Sequence, residues 1–111
     1  MSYSLTSVGD IIMAGPYIGA GEARDKTYGV LRDADHCFIN LEMPLTLSTQ
    51  ETDKTICLKA PPSLAAEMRA LGVDIATFAN NHAMDYGAAG LADTLFDPFD
   101  TVLSAIITFW S

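Results

Sequence analysis

The chain predicts an α/β fold with a mixed, mostly parallel sheet, and three observations carry that expectation. Apolar, β-rich runs alternate with segments of helical spacing. Polar residues follow directly on the ends of those runs, where open α/β sheets keep their ligands. One helix is punctuated by proline at its front and glycine at its rear, the order that helix-end chemistry prefers.

Tyr3 to Met13 reads as a first strand, with Gly9-Asp10 marking its end or a bend. The stretch Ala14-Gly15-Pro16-Tyr17-Ile18-Gly19-Ala20-Gly21 is a glycine-rich connection whose spacing fits neither GxGxxG nor the P-loop pattern. Arg24 to Asp33 is a short helix candidate through Tyr28, Leu31 and Arg32. His36 to Leu41 is an apolar run suited to a buried strand, and Pro44 ends its ladder. Thr46 to Lys54 is polar and reads as an exposed loop, and Thr55 to Lys59 as a short strand. Pro61-Pro62-Ser63 opens a helix whose core face is Leu64, Met68 and Leu71, closed by Gly72. Asp74 to Ala79 reads as a further strand, and Ala88 to Phe96 returns to helical spacing through Leu91, Thr94 and Leu95.

The chain has 111 residues, 50% of them apolar, enough for one small domain or part of one. A formal charge of -8 argues against nucleic acid, whose phosphates such a surface repels. It suits a divalent cation, and equally a solvated acidic surface. Cys37 and Cys57 have no zinc-finger or CxxC spacing and are expected to be buried free thiols. No basic n-region or long apolar h-region begins the chain, so the expected location is cytoplasmic. The apolar run Val102 to Trp110 is too short for a transmembrane segment.

The chemistry gathers at strand ends: Asp10 after the first strand, Glu42 after the second, and Asn80-Asn81-His82 after the strand at 74–79. Parallel strands present their C-terminal ends along one rim, so these residues can converge. Two carboxylates, a carboxamide and an imidazole suit divalent Mn, Mg, Fe or Zn. Each also has a plainer role. Asp10 suits a turn, Glu42 a solvated loop, Asn80 or Asn81 a left-handed or capping position, and His82 a structural hydrogen bond. Asp85 suits the cap of the helix beginning near Gly87.

Gly9-Asp10-Ile11-Ile12-Met13, Asn40-Leu41-Glu42-Met43-Pro44 and Ala79-Asn80-Asn81-His82-Ala83-Met84-Asp85-Tyr86-Gly87-Ala88-Ala89-Gly90-Leu91 occur in that order. Together they resemble the N-terminal blocks of the poly-gamma-glutamate capsule synthesis family, the CapA-like branch of the calcineurin-like metallophosphoesterases. Lys59-Ala60-Pro61-Pro62 and Leu71-Gly72-Val73-Asp74 extend the likeness, which runs from about Leu5 to about Leu95. It implies a metallophosphatase-like α/β/β/α sandwich, of which this chain holds a part, with a divalent-metal centre on the strand ends. By that likeness Asp10 and Glu42 are metal carboxylates, Asn81 is the carboxamide ligand, and His82 protonates a leaving group or steadies the transition state. Asn80 and Asp85 support them. In such a site two cations roughly 3.5 to 4 Å apart activate water and neutralise developing charge, and the histidine is the general acid. The residue two places after Asp10 is Ile12, not the histidine usual in metallophosphoesterases, as is common in CapA-like sequences.

The expected function is therefore the N-terminal part (1–95) of a capsule biosynthesis protein with a metal-dependent phosphoesterase-like or hydrolase-like site. Residues 96–111 are read as a divergent apolar tail, arising by truncation or frameshift. The expected substrate is an anionic polymer or a small phosphorylated compound. Family members can be membrane-associated or exported. The alternatives are a non-catalytic binding or assembly module of a capsule machine, or an inactive truncated product that self-associates through an uncovered sheet.

Overall fold

A computed structural model describes residues 1–12, 22–96 and 105–107. The glycine-rich loop Ala14–Gly21 and the tail, apart from residues 96 and 105–107, lie outside the described residues. The elements in chain order are β1 (Leu5–Ile11), α1 (Glu22–Asp33), β2 (His36–Leu41), α2 (Leu64–Ala70), β3 (Ile75–Thr77), α3 (Gly87–Leu95) and β4 (Ala105–Ile107). The strands form one sheet in the order β1-β2-β3-β4, and every pairing is parallel. The expected mostly parallel α/β sheet is thus present. Within the expected tail, Ala105–Ile107 pairs along Ile75–Thr77 as the last strand.

Strand β2 sets the two faces of the sheet. Cys37, Ile39 and Leu41 are buried, while Phe38 and Asn40 between them are only partly so, the alternation of a strand with one covered face. Ala76 of β3 pairs with Ile39 and shares the buried face. Leu31 from α1 and Leu64, Ala65 and Met68 from α2 join the same core, with Leu91 and Leu95 of α3 packed against it. Helices from all three crossovers therefore cover one side of the sheet. Phe38, Asn40, Ile75 and Thr77 lie on the other.

The first strand carries an irregularity. Ser7 pairs with Phe38 and Asp10 with Asn40, so Val8 and Gly9 together face the single residue Ile39. This is a one-residue bulge, and it sets Asp10 beside Asn40 at the C-terminal rim. His36, at the opposite end of β2, pairs with Leu5 and is remote from that rim.

The turn leaving α2 follows from its sequence. The Val73 N–H reaches the Met68 carbonyl at 3.1 Å and the Gly72 N–H reaches that of Arg69 at 3.0 Å, the pattern of a Schellman cap. Gly72 supplies the left-handed residue at φ 101°, and Met68 and Val73, both fully buried, make the accompanying apolar contact. The prolines before α2 serve through their carbonyls, which accept from Leu64 N (3.0 Å) and Ala65 N (3.1 Å).

Two expectations are corrected here. Thr55 to Lys59 forms no strand: this segment bridges to Leu45 only at Ala60, and the Leu58 N–H goes to the Asp85 carboxylate rather than to a ladder. Strand β3 is shorter than Asp74–Ala79, although Asp74 continues its pairing by another route. The Asp74 N–H donates to the Cys37 carbonyl at 3.0 Å, and Asp74 Oδ2 accepts from the Cys37 N–H at 3.0 Å.

Candidate functional site

Asn40 is the hub of the rim. Its Nδ2 donates to Asp10 Oδ1 at 2.7 Å and to Glu42 Oε2 at 2.5 Å. Its Oδ1 accepts from Thr77 Oγ1 and from Asn80 Nδ2, each at 3.2 Å. Asp10, Asn40 and Thr77 are register partners on three adjacent strands and point to the same face, so strand pairing alone lines them up. The side-chain amide then brings two carboxylates onto one nitrogen, with its hydrogens shared between them. Asn80 is fixed further by donating to the Leu41 carbonyl at 2.7 Å, and its Oδ1 accepts from the His82 N–H at 3.0 Å.

A second cluster lies beyond the 80–82 turn. His82 Nδ1 is 2.6 Å from Asp85 Oδ2, and the Asp85 side chain is fully buried. The carboxylate also accepts from the Leu58 N–H at 2.7 Å through Oδ2 and pairs with the Lys54 ammonium through Oδ1. Burial alone would push the Asp85 carboxyl up. The hydrogen bonds from Lys54, Leu58 and His82, with the His82 charge, outweigh it and hold the group below the usual carboxylate range. Lys54 Nζ reaches on to the Asn81 carbonyl at 2.5 Å. The Asp85 carbonyl accepts from the Thr52 N–H at 2.9 Å, so the 46–60 loop is tied to the turn by both backbone and side chains. Tyr86 is fastened to the same loop: its hydroxyl donates to Glu51 Oε1 at 3.1 Å and Lys59 Nζ stands 4.9 Å over its ring.

The residues expected from sequence fall into two sets. Asp10, Glu42 and Asn80 meet at Asn40. His82 and Asp85 meet each other and Lys54. Asn81 is exposed, and the contact that places it is the one from its carbonyl to Lys54. The capping role considered for Asp85 is corrected: α3 begins after Tyr86 with no side-chain cap, because the Asp85 carboxylate is turned to Lys54, Leu58 and His82. Sequence reasoning gave no role to Asn40, Lys54 or Thr77. Asn40 and Thr77 carried a signal, being polar residues at the ends of apolar strands. Lys54 carried none.

Among the described residues, no three His, Cys, Asp or Glu side chains stand together as a metal-holding group. Asp10 and Glu42 nevertheless offer hard carboxylate oxygens at one point, the donor type that Mg, Mn or Ca prefers. They fit such an ion as part of a coordination shell.

An open parallel α/β sheet with its polar groups gathered at the strand C-termini is the class of protein defined here. The model of the bacterial capsule synthesis protein PGA_cap family matches residues 4–98. The chain is 33% identical over 101 residues to the PGA biosynthesis protein CapA of Bacillus subtilis, covering 83% of this chain and 26% of that protein. It is 33% identical over 103 residues to the capsule biosynthesis protein CapA of Bacillus anthracis, covering 83% of this chain and 25% of the relative. It is 37% identical over 62 residues to a probable polyglutamine synthesis accessory protein of Mycobacterium tuberculosis, covering 55% and 16%. The chain therefore belongs to the PGA_cap family. It spans about a quarter of the length of the two CapA relatives. Among the described residues, no helix is long and apolar enough to cross a membrane.

Proposed function

We propose that this CapA-like chain carries part of a divalent-metal-dependent, phosphoesterase-like or hydrolase-like site on its strand-end rim, serving synthesis of an anionic capsule polymer. The observation that supports it is the convergence of Asp10 and Glu42 on the Asn40 amide, at 2.7 and 2.5 Å. Two carboxylates held this close repel one another unless a positive group or hydrogen-bond donor lies between them. A cation at the rim would take Asp10 and Glu42 as ligands, with Asn81 as the carboxamide donor, and would supply Lewis-acid chemistry to a bound phosphoryl or acyl oxygen. His82 is the proton donor in this reading, and Asp85 holds its ring and stabilises its charged form. Asn80 fixes the turn that carries both Asn81 and His82.

Calorimetric titration of manganese into the wild-type chain and into Asp10→Asn, Glu42→Gln and Asn81→Ala tests this. A binding heat that Asp10→Asn and Glu42→Gln abolish and Asn81→Ala weakens is expected. No heat in the wild type, or equal heats in all four proteins, would overturn it. A second reading, a non-catalytic module that holds an anionic polymer, is favoured by the lack of a three-donor group among the described residues. Wild-type chain that ignores manganese yet binds poly-gamma-glutamate would select it.

A further inference from the structure

His82 is held on one side only. Its Nδ1 faces the fully buried Asp85 carboxylate at 2.6 Å, and among the described residues its Nε2 has no hydrogen-bond partner. Asp85 is an acceptor at every contact it makes through its side chain, and two of its partners, Lys54 Nζ and Leu58 N, can only donate. A carboxylate so surrounded stays ionised and requires a donor from the imidazole as well. The nitrogen that carries the proton in neutral His82 is then Nδ1, leaving the Nε2 lone pair outward.

Lys54 is what completes this arrangement. It comes from a loop some thirty residues earlier in the chain, and its ammonium touches two places at once: Asp85 Oδ1 and the carbonyl of Asn81. One side chain thereby fixes the carboxylate that orients His82 and the backbone of the residue immediately before it. The Lys54 side chain is 36% exposed while that of Asp85 is fully buried, so the lysine closes the cluster from the solvent side.

We infer that Lys54 and Asp85 are positioning residues for His82, locking it as the Nδ1–H tautomer with Nε2 presented as the single nitrogen available to a proton, a ligand or a substrate. The geometry is that of a carboxylate-oriented imidazole, anchored here by a lysine that no motif of the sequence contains. The inference deepens the reading of His82 as the rim's proton donor and rests on it for its purpose. Its test needs neither metal nor substrate, so the two fail separately.

The test is long-range proton–nitrogen correlation NMR on the 15N-labelled full chain, at a pH where both histidines are neutral, with His36 as internal reference. Wild type should show His82 with a pyrrole-type Nδ1 and a pyridine-type Nε2. Asp85→Asn should convert it largely to the Nε2–H form, since the new amide can donate to Nδ1. Lys54→Met should give a mixture of the two, and Lys54→Arg should restore the wild-type pattern. Amide spectra that superpose on wild type confine the change to the cluster. A wild-type His82 in the Nε2–H form, or averaged between the two tautomers, overturns the proposal even if every variant fails to fold. A Lys54→Met spectrum identical to wild type removes Lys54 from it.

Discussion

His82 Nδ1 lies 2.6 Å from Asp85 Oδ2, three residues further on, with the carboxylate fully buried and the imidazole partly so. Because the same carboxylate also takes Lys54 and the Leu58 N–H, one side chain ties the 80–86 turn to the preceding loop. Its loss should be felt in the whole fold.

Asp85→Asn is expected to cost about 2 to 3 kcal/mol at neutral pH, the low end for breaking a buried pair because Lys54 keeps some solvent. Since the folded-state pKa of Asp85 is lowered, its stabilisation is present above the unfolded value near 3.9 and is lost as the pH falls through the folded value. Urea midpoints of the two proteins should therefore begin to converge as the pH falls below about 3.9 and meet only below the lowered folded-state value. A deficit of the same size at pH 7 and pH 3 would contradict the assignment.

Asn40→Ala removes the amide that separates Asp10 from Glu42 and should destabilise the chain by about 1 to 3 kcal/mol. Asn40→Asp puts a third carboxylate at the same point and should be the worse of the two at pH 7. Equal urea midpoints for the two variants would mean that the carboxylates do not converge on position 40.

Gly72 and Gly87 both have positive φ, at 101° and 64°, and they make a matched pair. A Cβ on Gly72 would stand 2.8 Å from the Arg32 Cα and the Leu31 carbonyl, whereas one on Gly87 meets nothing within 4 Å. Gly87→Ala should cost about 1 kcal/mol, the backbone penalty alone. Gly72→Ala should cost at least about 1 kcal/mol more, because it also separates the α2–β3 turn from α1. Thermal unfolding should rank them, at roughly 4 to 8 °C per kcal/mol.

Both cysteines are free, Cys37 buried and Cys57 partly exposed. Burial and the nearby Asp74 charge push the Cys37 thiol up, which makes it a poor nucleophile. Ellman's reagent should label Cys57 in the native protein and reach Cys37 only on unfolding. Rapid labelling of both would show that β2 opens readily.

Much of the scaffold was legible because it is local. The apolar run at 36–41, the Leu64–Met68–Leu71 face and the Gly72 stop are patterns that a strand and a helix impose within a few residues. The rim was legible as a set of strand-end polar groups, and Asp10, Glu42 and Asn80 do meet there. What escaped depends on long-range pairing. Asn40 is the hub only because β1 and β3 bring Asp10 and Thr77 beside it. Asp85 reads as a helix cap until Lys54 and Leu58 compete for it, and the segment 55–59 reads as a strand until its backbone is drawn to that carboxylate.

The extra residue in β1 has a consequence for how this strand can vary. Before Val8-Gly9 the even-numbered residue Thr6 faces the helices. After it the odd-numbered Ile11 does, so the strand changes parity midway and no period-two pattern spans it. Removing either Val8 or Gly9 would leave one residue facing Ile39 and restore regular pairing, with Thr6, the remaining residue and Ile11 on the helix side and Asp10 still opposite Asn40. Asp10 owes its position to arithmetic as much as to chemistry: a one-codon deletion at position 8 or 9 is compatible with keeping the carboxylate beside Asn40, whereas loss of both residues would set Asp10 opposite Ile39 and turn it into the apolar layer.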